Sequence, residues 1–366
     1  MRILIAPDKF KGALSAREGG DNIAAGLREV LPDAKIDILP MADGGEGTAE
    51  VIGEALGASW IKSKAHDPLG REIEARYARI DARKLAIMEM SEAAGMRRLQ
   101  PSELNPEIAT TFGVGEMLLD AAKHGVNEIV IGLGGSATND GGLGMARSLG
   151  FQFLGDKEIE RPLDLGELRR IENPQKLELP KIIGAVDVKN PLLGPNGATR
   201  VFGPQKGATP EQLDKLERAL ARLADVVAQQ FGFDYRNEPG AGAAGGLGFG
   251  LMSFCGAKIR PGFDVVAEAV GLESKIKDVD VVITGEGSLD RQTLEGKTPA
   301  GVARLARKLR KRVFAFVGRA TEDRQVREMF DGVYQNARAG MSVEENMKRA
   351  AELLRDNARQ LARNLK

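Results

Sequence analysis

Strand signals are unevenly distributed along the 366 residues, and this constrains the fold more than any other feature of the sequence. Residues 2 to 6 read as a strand, and Ser15 with Glu18 forms a capping box that opens a helix with Ile23, Leu27 and Val30 on its apolar face. Lys35 to Leu39 reads as a second strand, and the loop PMADGGEGT leads from it into a helix through Val51, Ile52 and Leu56. Near the other end, Val279 to Thr284, Val313 to Val317 and Gly332 to Gln335 have strand character. Ser342 and Glu345 cap a last helix whose Met347, Ala350, Leu354, Ala358 and Leu361 keep core-facing spacing. Two parallel strands cannot form a sheet covered on both faces, and three make a thin one. The economical solution is an α/β chain of two domains. Residues 1–61 and 263–366 form a doubly wound, flavodoxin-like parallel-sheet domain built from both chain ends. Residues 62–262 form an inserted mixed α/β domain, with the active site in the cleft between the two.

Inside the insert, Trp60 to Met90 alternates as antiparallel strands about the turn Asp67-Pro68-Leu69-Gly70. A helix from about Pro106 to Lys123 follows. The apolar run Glu128 to Leu133 then feeds into GLGGSATNDGG (132 to 142), which a helix from Gly144 to Leu149 leaves. Further on come a strand at Ile182 to Val186 and a helix from about Pro210 to Phe231.

Composition narrows the chemistry. Lys plus Arg and Asp plus Glu are balanced at 52 each and aromatics are 5 %, so nucleic acid is not an expected partner. No apolar run reaches membrane-span length, and the single Cys255 fits a reducing compartment, so a cytoplasmic protein is expected. With only His66 and His124, one in a turn and one at a helix end, neither a Ser-His system nor a three-His metal site is at hand. Carboxylates, lysines, backbone amides and a hard divalent cation remain.

The loops after the parallel strands carry such groups: Asp8, Lys9 and Lys11 after the first, Asp43, Gly44, Gly45 and Glu46 after the second, and Gly285, Glu286, Gly287, Ser288 and Asp290 after the third. Open α/β sheets bind ligands along that edge. In the insert, Gly134, Gly135, Ser136 and Thr138 read as phosphate contacts, because glycines admit a ligand to the backbone and the following helix dipole favours an anion by roughly 0.3 to 1 kcal/mol. Asn139 and Asp140 add an amide and a carboxylate. The alternative is a turn that merely lets strand and helix pack closely. Asp187 and Asn190 form the Asp/Asn pairing that holds magnesium in phosphoryl transfer, although Asx turns look the same.

Several familiar patterns fail. GAGAAG at 240 to 245 follows no strand, so it is not a dinucleotide fingerprint. Gly296-Lys297-Thr298 resembles the end of a Walker A loop, but Arg291 stands where its first glycine belongs. Phosphoryl transfer fits what is left, since its loose transition state asks for positioning and charge neutralisation more than for a strong base.

The blocks APDKFKGALSA (6–16), PMADGGEGT (40–48), GLGGSATNDGG (132–142), DVKNPLLGPNGA (187–198), FGPQKGA (202–208), GAGAAGGLG (240–248) and TGEGSLDRQTLEGK (284–297) together resemble the bacterial glycerate kinase family. The resemblance implies ATP- and Mg2+-dependent phosphorylation of D-glycerate, at the 2-hydroxyl, on a two-domain α/β fold with a discontinuous first domain; a monomer or homodimer is expected. In that setting Lys9 and Lys11 neutralise the transferred phosphoryl group or the glycerate carboxylate. Asp43, Asp187 and Asp290 are candidates for magnesium ligation and general base, Asp187 first among them as base, with Asn190 beside it as ligand. Asp264 either reaches a substrate hydroxyl or caps a helix. A sugar or homoserine kinase with a GLGSSA-type loop, a glycerate 3-kinase and an organic-acid sensor are the other readings.

Overall fold

The computed structural model describes residues 1–291, 293, 297–338 and 340–366, so Gly296 of the Walker-like triplet lies outside the described residues. In chain order the strands are β1 (Arg2–Pro7), β2 (Lys35–Ile38), β3 (Ser59–His66), β4 (Glu72–Ile80), β5 (Leu85–Glu89), β6 (Glu128–Gly132), β7 (Gln152–Leu154), β8 (Arg170–Glu172), β9 (Lys181–Val186), β10 (Lys258–Pro261), β11 (Val281–Leu289), β12 (Arg312–Ala320) and β13 (Gly332–Gln335). The chain divides into two units: Met1–Asp43 with Phe263–Lys366, and Gly44–Gly262. The first boundary comes earlier than the expected 61/62, because helix Thr48–Leu56 packs on β4 and β5 and has its N-terminus held from β5 by Glu89.

The first unit is a five-stranded sheet ordered β13-β12-β11-β1-β2, and every neighbouring pair is parallel. Counted within the unit this is the flavodoxin-type winding: the chain leaves β1 for β2 on one side and returns at β11 on the other. Ile3, Ile5, Val281 and Ile283 bury against Ile23, Leu27, Leu354, Ala358 and Leu361. Ser15 and Glu18 cap the helix Ala16–Val30 reciprocally, as the sequence predicts.

Two elements of this unit differ from expectation. The stretch GEGS is strand, not loop: β11 runs on to Leu289 because β12 continues beside it, pairing Glu286 with Val317 and Ser288 with Arg319. An ideal Cβ at Gly285 would stand 2.4 Å from the Phe316 carbonyl oxygen and one at Gly287 3.1 Å from the Lys11 nitrogen, so these glycines serve close packing. The last helix is broken at Arg349 into Val343–Lys348 and Ala350–Leu365. The break takes Met347 off the buried row, leaving it 38 % exposed while Ala350, Leu354, Ala358 and Leu361 are buried.

The second unit is a six-stranded sheet ordered β10-β9-β6-β5-β4-β3, parallel from β10 to β5 and antiparallel from β5 to β3, with β7 and β8 pairing separately. The helix expected from Pro106 begins at Phe112, since Asp140 takes both the N–H and the hydroxyl of Thr111 and Pro68 takes the N–H of Thr110. Helix Pro210–Phe231 has the expected bounds and carries a Thr209/Gln212 capping box. Among the described residues, no helix is long and apolar enough to cross a membrane.

The helices Ala16–Val30 and Ala350–Leu365 meet at Gly26, where an ideal Cβ would stand 2.3 Å from the Arg355 carbonyl oxygen and 2.8 Å from the Ala358 Cβ. Helix propensity alone favours alanine there by about 1 kcal/mol. The clash costs about 1–3 kcal/mol and wins. Gly26→Ala is therefore expected to lower the urea midpoint of unfolding, and a raised midpoint would contradict this helix contact.

Candidate functional site

In the first unit the winding reverses between the parallel strands β1 and β11, and that switch point gathers carboxylates. Asp8, directly after β1, is 8 % exposed and donates its N–H to the Gly285 carbonyl of β11 at 2.8 Å. Its Oδ2 accepts from the Thr298 hydroxyl at 2.6 Å and its Oδ1 from the Lys9 N–H at 2.6 Å. Burial, and then the charge of Asp43, push the Asp8 carboxyl up to about 7, against the pull of those hydrogen bonds and of the Lys9 ammonium. Glu286, inside β11, is pushed up to about 8 by burial, with Asp8 and Asp290 adding to the rise. The Lys297 charge and the Thr293 hydroxyl, which donates to Glu286 Oε1 at 3.1 Å, oppose it. Thr293 also accepts from the Asp290 N–H at 3.1 Å. The sheet thus brings Asp8, Lys9, Asp43, Gly285, Gly287 and Asp290 into one neighbourhood. Lys11 is exposed beside it, and Asp264 is exposed in the first turn of helix Gly262–Ala269.

The second unit contains the glycine loop, and its glycines first of all make room for protein. Ideal Cβ atoms at Gly132, Gly134 and Gly135 would stand 2.6 Å from the Gly44 oxygen, 2.7 Å from the Gly45 Cα and 2.4 Å from Glu46 Oε1. The two loops therefore lie backbone against backbone. The helix N-terminus that the sequence offers to a phosphate already holds an anion of the chain's own. Asp140 Oδ1 accepts from the Gly142 N–H at 3.0 Å, and its Oδ2 accepts from the N–H groups of Thr111 and Gly144 and from the Thr111 hydroxyl, at 2.9, 3.1 and 2.8 Å. Burial raises the Asp140 pKa while these four bonds pull it down. The other loop repeats the device: Glu89 Oε1 accepts from Gly47 and Ala49 at 2.9 and 3.1 Å, stoppering helix Thr48–Leu56.

What stays open to an anion is the rim of the loop. Among the described residues, no acceptor takes the N–H groups of Gly134, Gly135 or Ser136, while the neighbouring Leu133 and Ala137 amides bond to Ala185 and Ala94. Gly135 is left-handed at φ 72°, one of the two conformations whose alternation makes an anion-binding nest. Thr138 and Asn139 lie deeper, at 0 % exposure, where Asn139 Nδ2 donates to Thr199 Oγ1 at 3.0 Å. Asp187 is exposed just past β9. Asn190 donates its side-chain N–H to the Asn196 carbonyl at 2.8 Å, which leaves its Oδ1 as the free-facing acceptor of the amide.

Sequence reasoning missed Thr298, Thr293, Glu89 and Lys206. Lys206 is 1 % exposed, and its ammonium donates to the Thr138 carbonyl at 2.7 Å. A buried lysine in a polar FGPQKGA block carries no periodic signal. Only its place in a run with the other glycine-rich blocks marks it.

A family model described as the glycerate kinase family matches residues 3–366. The chain is 40 % identical to the glycerate kinase of Halalkalibacterium halodurans over 370 residues, covering 98 % of this chain and 97 % of that one. It is 40 % identical to the glycerate 2-kinase of Escherichia coli over 329 residues, covering 88 % and 86 %. A crystal structure of a Salmonella typhimurium LT2 protein assigned as glycerate kinase 2 superposes with a TM-score of 0.87 at 40 % identity, covering 100 % of this chain and 98 % of that one.

Asp8 and Glu286 keep protons in the folded state that ordinary carboxyls release near pH 4. Their contribution to stability is therefore greatest at pH 4 and below and is lost as pH rises through about 7 and about 8. Lys206, pulled down to about 7, works in the opposite direction only above that pH, so the window between about pH 5 and 7 isolates the carboxylates. Urea unfolding should show wild-type stability falling across that window and Asp8→Asn flattening the fall; equal slopes in both proteins would contradict the burial of Asp8.

Proposed function

The chain belongs to the glycerate kinase family and is a phosphotransferase enzyme, and from that premise we propose that it uses ATP and Mg2+ to phosphorylate D-glycerate at the 2-hydroxyl, giving 2-phospho-D-glycerate and ADP. The observation that carries the mechanism is Asp8. It is a carboxylate at the switch point of a parallel sheet, held by two hydrogen bonds and brought to about 7 by burial and by Asp43. General-base catalysis is most effective when the base titrates near the working pH. Asp8 therefore takes the role first expected of Asp187: it accepts the proton of the glycerate 2-hydroxyl as that oxygen forms its bond to the γ-phosphorus. The bond from phosphorus to the bridging oxygen breaks, and ADP departs.

Lys9 and Lys297 neutralise the glycerate carboxylate, which could not otherwise lie near Asp8, Asp43 and Glu286. The amides of Gly134, Gly135 and Ser136 bind nucleotide phosphate oxygens, and this requires no rearrangement of the loop because those donors are already unpaired. Among the described residues, no group of three or more His, Cys, Asp or Glu side chains is arranged to hold a metal ion. Magnesium in phosphoryl transfer needs only one or two protein oxygens, with phosphate and water completing its shell. Asp187 and Asn190 Oδ1 offer such a hard-oxygen pair and would hold it, where it would supply charge neutralisation on the phosphates. The 2-position rests on the Escherichia coli relative's name.

The test is incubation with ATP, Mg2+ and D-glycerate followed by phosphorus NMR. A 2-phosphoglycerate resonance is expected; a 3-phosphoglycerate resonance would overturn the regiochemistry, and intact ATP would overturn the activity. Asp8→Ala should lower kcat by about 10²-fold or more while the protein stays folded. Thr298→Val removes a hydrogen bond that lowers the Asp8 pKa, so the acid limb of the kcat profile should move to higher pH. A limb that stays in place would remove Asp8 from the role of base.

A further inference from the structure

FGPQKGA and GAGAAGGLG are the two blocks to which the proposed chemistry gives no work, and both close on the same few atoms. Lys206, from the first, donates to the Thr138 carbonyl at 2.7 Å. Gly245, from the second, backs that carbonyl so tightly that an ideal Cβ would stand 2.0 Å from its oxygen, and the Gly245 carbonyl accepts from the Gly141 N–H at 3.1 Å. To approach that closely the chain runs Ala244, Gly245 and Gly246 left-handed, at φ 53°, 67° and 88°. An alanine in that conformation is strained, and such strain persists only where the surroundings over-determine it.

A buried ammonium on a neutral carbonyl is costly unless a charge compensates it. Asp140 is that charge: its attraction opposes the burial that pulls Lys206 down to about 7. Asp140 is itself bonded to Thr111, Gly142 and Gly144, and Asn139 to Thr199. Three consecutive residues, Thr138, Asn139 and Asp140, are thus each gripped by a different part of the chain. The Thr138 hydroxyl is buried with no hydrogen-bond partner among the described residues. All of this order lies at the root of the loop, whereas the unpaired amides lie at its rim, Gly134 to Ser136.

We infer that Lys206 is a positioning residue: by clamping Thr138–Asp140 from behind, it fixes the orientation in which the rim amides meet a nucleotide phosphate. This rests on the kinase reading above. Lys206 does not touch substrate and acts only through the loop, so its loss acts on binding of the phosphate donor more than on the chemical step.

The experiment compares wild type, Lys206→Met and the double variant Lys206→Met with Asp140→Asn, by urea unfolding and by steady-state kinetics in ATP and in D-glycerate. Methionine keeps the length and bulk of the lysine stem and removes the ammonium. Lys206→Met should raise KM for ATP about tenfold or more while kcat and KM for glycerate stay within about threefold. The double variant, in which both members of the buried charge pair are neutral, should not recover KM for ATP. Wild-type KM values in Lys206→Met overturn the inference whatever its stability. So does recovery of KM in the double variant, which would make charge pairing alone the function, and so does failure of both variants to fold, which would make Lys206 a stability residue. Wild-type protein that neither binds ATP nor makes phosphoglycerate would sink the kinase reading instead.

Discussion

The parallel pairing of β1 with β11 is the contact on which the first unit depends. It registers Ile3 to Pro7 against Val281 to Gly285 and so joins segments that are far apart in sequence. Without it β1 and β2 are a two-stranded ribbon with both faces bare, and β11 to β13 a three-stranded one. With it there is a covered five-stranded sheet and a reversal of winding at its centre. The same register sets Asp8 beside Gly285 and brings the strand carrying Glu286 next to it. The carboxylates owe their raised pKa values to a place in the middle of a sheet that neither chain end could build alone.

The second unit solves a different problem, which is how to keep several glycine-rich loops rigid. Glycine removes side-chain contacts and adds backbone freedom, so each loop needs external fixation. The fixation comes from buried charge. Glu89 holds the start of one helix, Asp140 the start of another, and Lys206 closes the circuit through Thr138. A helix N-terminus is a ready anion site in principle, but in this chain two of them are filled by the protein itself, and the donors left over lie earlier, on the loop.

Patterns confined to a short window were readable in the sequence. The capping box at Ser15, the strands β1, β2, β9 and β13 and the helix Pro210–Phe231 follow from local periodicity and cap chemistry, and the five-strand solution follows from the rule that parallel sheets are covered on both faces. Features set by partners distant in sequence were not readable. GEGS becomes strand because β12 runs alongside it, and the start of the helix at Phe112 waits on Asp140. Met347 leaves the core row because a break at Arg349 changes the phase. The site divides in the same way: glycines and carboxylates in the loops could be nominated, but the roles of Thr298, Glu89 and Lys206 arise from burial and contact, which no motif records.

The discontinuous first unit also sets a timetable for synthesis. β1 and β2 leave the ribosome early, but their missing neighbour β11 begins only at Val281. At about 5–20 residues per second, an interval on the order of 15 to 55 seconds separates the two. Throughout it the apolar edge of β1, with Ile3, Leu4 and Ile5, has no native partner on that side, while Gly44–Gly262 emerges whole and can fold as one continuous piece. The longer the insert between β2 and β11, the longer that edge of β1 waits for the strand that covers it.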